Sequence, residues 1–217
     1  MAAIPYGADP SGAPLSAVLI HGRGRTPSEM IGLAERIGLP EVAWRAPDAP
    51  GGSWYPGGFM EPLEANQPQL DQALARVEAE VRALEALGAD RRRIALVGFS
   101  QGACVACEYV RRHPQRWGAL IAWTGGLFGP EGSVWETPGR LDGTPALFSN
   151  SDQDEFVPWS RTQETAAAFQ RMGAEAALKH YPGRDHVVGD DEIDQARAIL
   201  RRALAQPQAL PALQEES

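Results

Sequence analysis

Ser100 lies in the run Gly98-Phe99-Ser100-Gln101-Gly102, a G-x-S-x-G pattern. Before it stands Ile94-Ala95-Leu96-Val97, apolar and partly β-branched, which reads as a buried strand. After it, residues 103–112 are rich in helix formers and stop at His113-Pro114. Strand, tight turn and helix are the setting in which this pattern marks a nucleophile elbow. The glycines have a physical task. A serine on a strained turn needs neighbours without a Cβ where strand and helix pass close by. The N-terminus of the helix adds partial positive charge beside the serine oxygen, which suits an anionic intermediate.

A serine hydroxyl is a weak nucleophile until a base takes its proton. The chain has four histidines. His113 stands at a helix end, a capping position. His180 falls within an alternating strand pattern, where a packed histidine is expected. His21 ends a strand beside a glycine loop, which it could orient. His186, in Gly183-Arg184-Asp185-His186 after the last strand, is the expected base. A carboxylate must then hold the tautomer of the imidazole, and Asp152 and Asp154 follow a strand at residues 145–148. Both lie between Ser100 and His186, in the chain order Ser, Asp, His, and spacing alone does not separate them. Two N–H donors are needed for an oxyanion. The backbone of Gln101 offers one, and that of Arg23, in His21-Gly22-Arg23-Gly24, offers the other. The plainer reading of this second loop is a glycine turn that only reverses the chain.

These groups need elements to carry them. Apolar runs at 15–20, 41–46, 94–97, 119–123 and 145–148, with an alternating run at 176–181, read as strands. Helical segments fall between and after them: residues 27–37 behind a Thr26 cap with Pro27 at the first position, 70–84, 103–112, 162–172 and 193–205. Strand–helix alternation over 217 residues predicts one α/β domain with a mostly parallel sheet and helices on both faces. Residues 1–14 are expected to be an arm leading into it, and 207–217 a frayed tail. Ligands of such sheets sit off the carboxyl ends of the strands, where the polar and glycine-rich breaks gather. The stretch 47–68 has no period but much Pro, Gly and aromatic content, the mark of a functional loop. Trp54, Tyr55, Phe59, Trp123, Phe156 and Trp159 are on or beside the rim and are candidates to line an apolar substrate pocket.

A net charge of -8 argues against nucleic acid, since no broad basic face is available to neutralise phosphates. No run is long enough to span a bilayer, and the first residues lack the basic and apolar regions of a signal peptide, so a cytoplasmic protein is expected. Cys104 and Cys107 form a C-x-x-C, but past the start of the elbow helix, where core packing explains them better than redox chemistry. No Cys/His cluster has zinc spacing, and no metal is expected.

Five spaced motifs occur in order: Leu19-Ile20-His21-Gly22-Arg23-Gly24; Ala46-Pro47 with Gly52-Ser53-Trp54-Tyr55; the elbow; Asp152-Gln153-Asp154-Glu155-Phe156-Val157-Pro158; and Tyr181-Pro182-Gly183 with His186. Together they resemble the phospholipase/carboxylesterase family of small α/β-hydrolases, which includes the acyl-protein thioesterases. The resemblance implies an α/β-hydrolase fold without a large cap domain. It also implies hydrolysis of carboxylic esters, lysophospholipids or thioesters without a cofactor. It places the acid at Asp154, four residues before the Val-Pro proline, and leaves Asp152 to support the turn. The base falls at His186 and the oxyanion donors at Arg23 and Gln101. Two features depart from the family pattern: Ala103 stands where many members have glycine, and Arg23 and Arg25 add charge to the oxyanion loop. The expected activity is a serine carboxylesterase acting on a small-molecule ester or thioester through an acyl-enzyme. The rivals are a lysophospholipase or acyl thioesterase with the same triad, and a non-catalytic hydrolase-like receptor. A homodimer is compatible with the sequence.

Overall fold

A computed structural model describes residues 3–136 and 139–205. Seven strands form one sheet: β1 (Ile4–Gly7), β2 (Leu15–Ile20), β3 (Val42–Ala46), β4 (Ile94–Phe99), β5 (Ala119–Trp123), β6 (Pro145–Asn150) and β7 (Glu175–His180). Their order is β1-β3-β2-β4-β5-β6-β7. Only β1 runs antiparallel, pairing Ile4 with Ala46 and Gly7 with Ala43. The arm expected over residues 1–14 is therefore partly a strand at the sheet edge. Its four exposed residues carry no apolar run, which is why periodicity missed it. The tail expected at 207–217 lies outside the described residues.

Five helices cover the sheet: α1 (Pro27–Ile37), α2 (Gln69–Ala86), α3 (Gln101–Arg112), α4 (Trp159–Arg171) and α5 (Asp190–Leu204). Successive residues of the central strands point to opposite faces, and both faces are buried. Val18, Ile20, Leu96, Leu120 and Phe148 join a core with α2, α3 and α4. Leu19, Val97, Ile121 and Leu147 join a second core with α1 and α5. This two-sided burial explains why the strands read as unbroken apolar runs. Local signals also set α1: the Thr26 hydroxyl accepts from the Glu29 N–H, and Gly38 ends the helix at φ 67°.

The chain moves outward from β2 to β3, then crosses back so that β4 lies on the other side of β2. The switch point thus falls between β2 and β4, where an open α/β sheet leaves a crevice beyond its strand ends. The loop after β2 starts at His21, and the turn after β4 holds Ser100.

Candidate active site

Ser100 has φ 55° and ψ −121°, a conformation that costs a non-glycine residue strain. The turn fits only because its neighbours are bare. A Cβ on Gly102 would collide with the Ile20 carbonyl, and one on Gly98 with the Gly102 carbonyl. The Ser100 N–H is held by the Trp123 carbonyl at 2.9 Å. Ala103 packs its methyl against the bare Cα side of Gly125.

The three sequence candidates meet. His186 Nε2 lies 2.8 Å from Ser100 Oγ, and His186 Nδ1 lies 2.6 Å from Asp154 Oδ2. Asp154 is buried, and its other oxygen accepts the N–H groups of Phe156 (3.0 Å) and Val157 (2.9 Å). Burial works to raise its pKa, but the His186 bond and the two backbone donors outweigh it and hold the carboxyl below its ordinary value. The imidazole sits between Phe99, at 5.1 Å, and Phe156, at 4.9 Å between ring centres.

Asp152 stands apart from these three candidates. Its Oδ1 accepts the Gly183 N–H at 2.9 Å, so the loop bearing Asp154 grips the loop bearing His186. Below that loop is a group that sequence reasoning missed. Glu192, fully buried on α5, accepts from Ser149 Oγ at 2.5 Å and from the Gly189 N–H at 2.8 Å, with Arg184 at 3.4 Å. Burial pushes its pKa up. One carboxylate therefore ties both flanks of His186 to the strand that leads to Asp154. Only the acidic first turn of α5 could have hinted at it.

Among the described residues, the backbone N–H groups of Arg23 and Gln101 have no protein acceptor. Their side chains are engaged elsewhere, on the loop at residues 50–68. Gln101 accepts from the Trp54 N–H and donates to the Tyr55 carbonyl, each at 2.8 Å. Arg23 donates to the Pro56 (2.8 Å) and Gly57 (2.6 Å) carbonyls and lies 5.7 Å over the Tyr55 ring. Asn66 closes the same loop, accepting from the Gly57 N–H and donating to the Gly58 carbonyl. The long aperiodic stretch is thus held by polar side chains that bond its backbone groups. His21 is buried, its Nε2 accepting the Ala49 N–H at 3.1 Å and its Nδ1 lying 2.8 Å from the Gly22 carbonyl of the glycine loop.

A cavity of about 750 Å³ opens at Ser100, between the loop bearing Gly22, Arg23 and Arg25 and the residues 55–59 wall. Tyr55, Phe59 and Phe156 line it, together with Phe99, Val157 and Cys104. Three of the expected pocket aromatics do not. Trp54 is buried behind the wall, its Nε1 donating to the His21 carbonyl at 2.8 Å. Trp123 points from β5 into the core under α1 and α5. Trp159 stacks on His180 at 4.5 Å, beside edge strand β7. An indole N–H seeks an acceptor and a strand side chain follows its face, so nearness in sequence to the rim did not bring these rings into the cavity. His180 is exposed at the surface but partnered, by the Trp159 ring on one side and by Asp152 at 3.8 Å. His113 does cap its helix, its Nδ1 lying 2.8 Å from the Tyr109 carbonyl.

Cys104 and Cys107 are free and buried, and burial raises both thiols, Cys104 to about 11. That opposes thiolate chemistry. Among the described residues no cluster of three metal-ligating side chains occurs, and no helix is long and apolar enough to cross a membrane.

Comparison with known proteins gives a consistent answer. A family model described as phospholipase/carboxylesterase matches residues 9–204. The crystal structure of a phospholipase/carboxylesterase from Dyadobacter fermentans shares 40% identity, with a TM-score of 0.88 over 92% of this chain and 96% of that one. A probable carboxylesterase of Oryza sativa is 24% identical over 210 residues, covering 88% of this chain and 89% of its own. The structure of Zea mays acyl-protein thioesterase 2, at 20% identity, shares the fold with a TM-score of 0.72 over 93% and 99% of the two chains. The chain is a carboxylic ester hydrolase of the phospholipase/carboxylesterase family, with the α/β-hydrolase fold.

Proposed function

We propose that this protein is a serine carboxylesterase that hydrolyses small-molecule esters through a Ser100–His186–Asp154 triad. The observation that carries this reading is the unbroken hydrogen-bonded line from Ser100 Oγ through both ring nitrogens of His186 to buried Asp154. His186 Nε2 takes the Ser100 proton as Oγ attacks the carbonyl carbon. The oxyanion that forms is met by the N–H groups of Gln101, at the start of α3, and Arg23. The bond to the alcohol oxygen then breaks, and His186 gives its proton to that oxygen. Water attacks the acyl-enzyme with His186 again as base, which releases the acid and restores Ser100. Every proton in the cycle passes through His186, so the residues present need no cofactor.

One feature favours small esters over lipids. A lipid substrate calls for an exposed apolar patch near the mouth, yet Trp54, Tyr55 and Phe59 are 2%, 3% and 8% exposed. Tyr55 and Phe59 line the cavity with Trp54 behind them, so this loop adds no membrane-facing surface, and the exposed apolar residues beside the mouth are single ones, Phe156 at 61% and Val187 at 47%. The test is hydrolysis of p-nitrophenyl acetate and a long-chain homologue by the wild type and Ser100→Ala. Turnover of the short ester that vanishes in the variant is expected. Equal turnover in the two proteins would remove Ser100 from the mechanism, and a preference for the long chain would favour the lysophospholipase or thioesterase reading. If neither ester is turned over, a fluorophosphonate that fails to label Ser100 would leave the receptor reading.

A further inference from the structure

We infer that the ester is held across two cavities, and that the smaller one, on the His186 side, takes the alcohol leaving group. This rests on the esterase reading above. The second cavity has a volume of about 220 Å³, with Met30 and Leu33 of α1, Phe99, Val187 and Val188 as its apolar lining. It shares Phe99 and Arg25 with the larger cavity at Ser100, so the two adjoin.

The chemistry assigns their occupants. The acyl carbonyl must point its oxygen at the Arg23 and Gln101 N–H groups, and both residues line the larger cavity. The alcohol oxygen must instead lie where His186 Nε2 can return a proton to it. His186 packs against Phe99, the shared wall, with the rings tilted at 45°, and Val187 and Val188 follow it directly in the chain. The group attached to that oxygen is thereby directed across Phe99 towards Met30 and Leu33.

The lining also states the class of alcohol. The charged side chains at the rim already have partners. Arg25 pairs with Glu29 at 3.2 Å, and Arg36 with Asp190 at 2.8 Å and the Val188 carbonyl at 3.3 Å. The other five lining residues are apolar. A dry cavity of about 150 Å³ holds a benzene ring, so this one has room for a neutral benzyl-sized alcohol.

The test compares kcat/KM for benzyl and methyl esters of one acid. Both leave the same acyl-enzyme, so the ratio reports acylation alone and a general loss of activity cancels. Leu33→Trp fills the cavity, and the benzyl-to-methyl ratio should fall about tenfold or more, the scale set by misfit in an apolar pocket. Leu33→Ala widens it, and the ratio of a naphthylmethyl ester to the benzyl ester should rise. In both variants the butyrate-to-acetate ratio at a fixed alcohol should stay within about twofold, since the acyl group lies elsewhere. Alcohol ratios that stay put, or acyl ratios that move in their place, would overturn the subsite. Should Leu33→Trp not fold, Leu33→Ala decides alone. Absence of Ser100-dependent hydrolysis in the wild type would instead overturn the esterase reading beneath it.

Discussion

Asp154→Asn separates the geometry of the triad from its proton logic. The amide side chain keeps a carbonyl oxygen for the Phe156 and Val157 N–H groups, so the loop should hold its shape. The imidazole also stays in place between Phe99 and Phe156. The change occurs at the atom facing His186 Nδ1, where an NH2 donor replaces an acceptor 2.6 Å away. The ring must then present a bare Nδ1 and carry its proton on Nε2, which faces Ser100 Oγ at 2.8 Å. In that tautomer it cannot accept the serine proton. Tautomer inversion of this kind lowers kcat by about 10⁴, or ~5 kcal/mol in the barrier. Asp152→Asn is the control. Its amide retains an acceptor for the Gly183 N–H and touches neither Ser100 nor the His186 ring, so the loss should stay under about tenfold. Steady-state hydrolysis of p-nitrophenyl acetate at neutral pH, with circular dichroism to verify the fold, measures both. Equal losses in the two variants would refute the assignment of the acid, and an Asp154→Asn loss below about tenfold would refute the tautomer argument.

Other perturbations read other parts of the molecule. Gly102→Ala drives a methyl into the Ile20 carbonyl and should lower stability by about 1–3 kcal/mol or more, seen as a fall in Tm; an unchanged Tm would mean the strand and helix are not so close. Tyr55→Ala or Phe59→Ala should change the acetate-to-butyrate preference, whereas Trp54→Phe, which strands the His21 carbonyl behind the wall, should cost about 1–3 kcal/mol of stability and leave that preference alone. Asp154 has a native pKa below its unfolded value near 3.9. Its contribution to stability is therefore fully present above about pH 4 to 5 and is lost as pH falls through the depressed native pKa. Urea melts of wild type and Asp154→Asn should differ more at pH 7 than at pH 3, and a constant gap would count against the shift.

The sheet was legible because its signals are local. Buried parallel strands read as apolar runs, Thr26 and Gly38 mark the ends of α1, and two glycines bracket a serine that needs them. β1 was not legible, since an edge strand of four exposed residues leaves no pattern and is recognised only by its ladder with β3. The meeting of Ser100, His186 and a loop aspartate was legible from chain order and loop position, but the choice of Asp154 over Asp152 came from the family resemblance. The difference is one of reach: Asp154 turns inward to His186, while Asp152 caps the Gly183 backbone. The pocket was half legible. Adjacency to the rim identified Tyr55, Phe59 and Phe156 but not the carbonyl that holds Trp54, the core-facing side of β5 that carries Trp123 or the His180 ring against Trp159.

The least legible feature is also the one that joins the parts. Arg23 and Gln101 were singled out for their backbone N–H groups, yet their side chains hold residues 54–57, more than 30 and 40 positions away respectively. The wall of the larger cavity and the two N–H groups proposed to meet the oxyanion are therefore borne by the same two residues. A displacement of the wall by an ill-fitting acyl group would be felt first at the guanidinium and the amide, and through them at the donors. Loss of fit would then reach kcat as well as KM, because donor placement matters only when the oxyanion forms. Arg23→Lys would keep the charge but cannot span two adjacent carbonyls with a planar fork. It should lower kcat for a bulky acyl ester more than for acetate. A change confined to KM would show that the wall and the donors move independently.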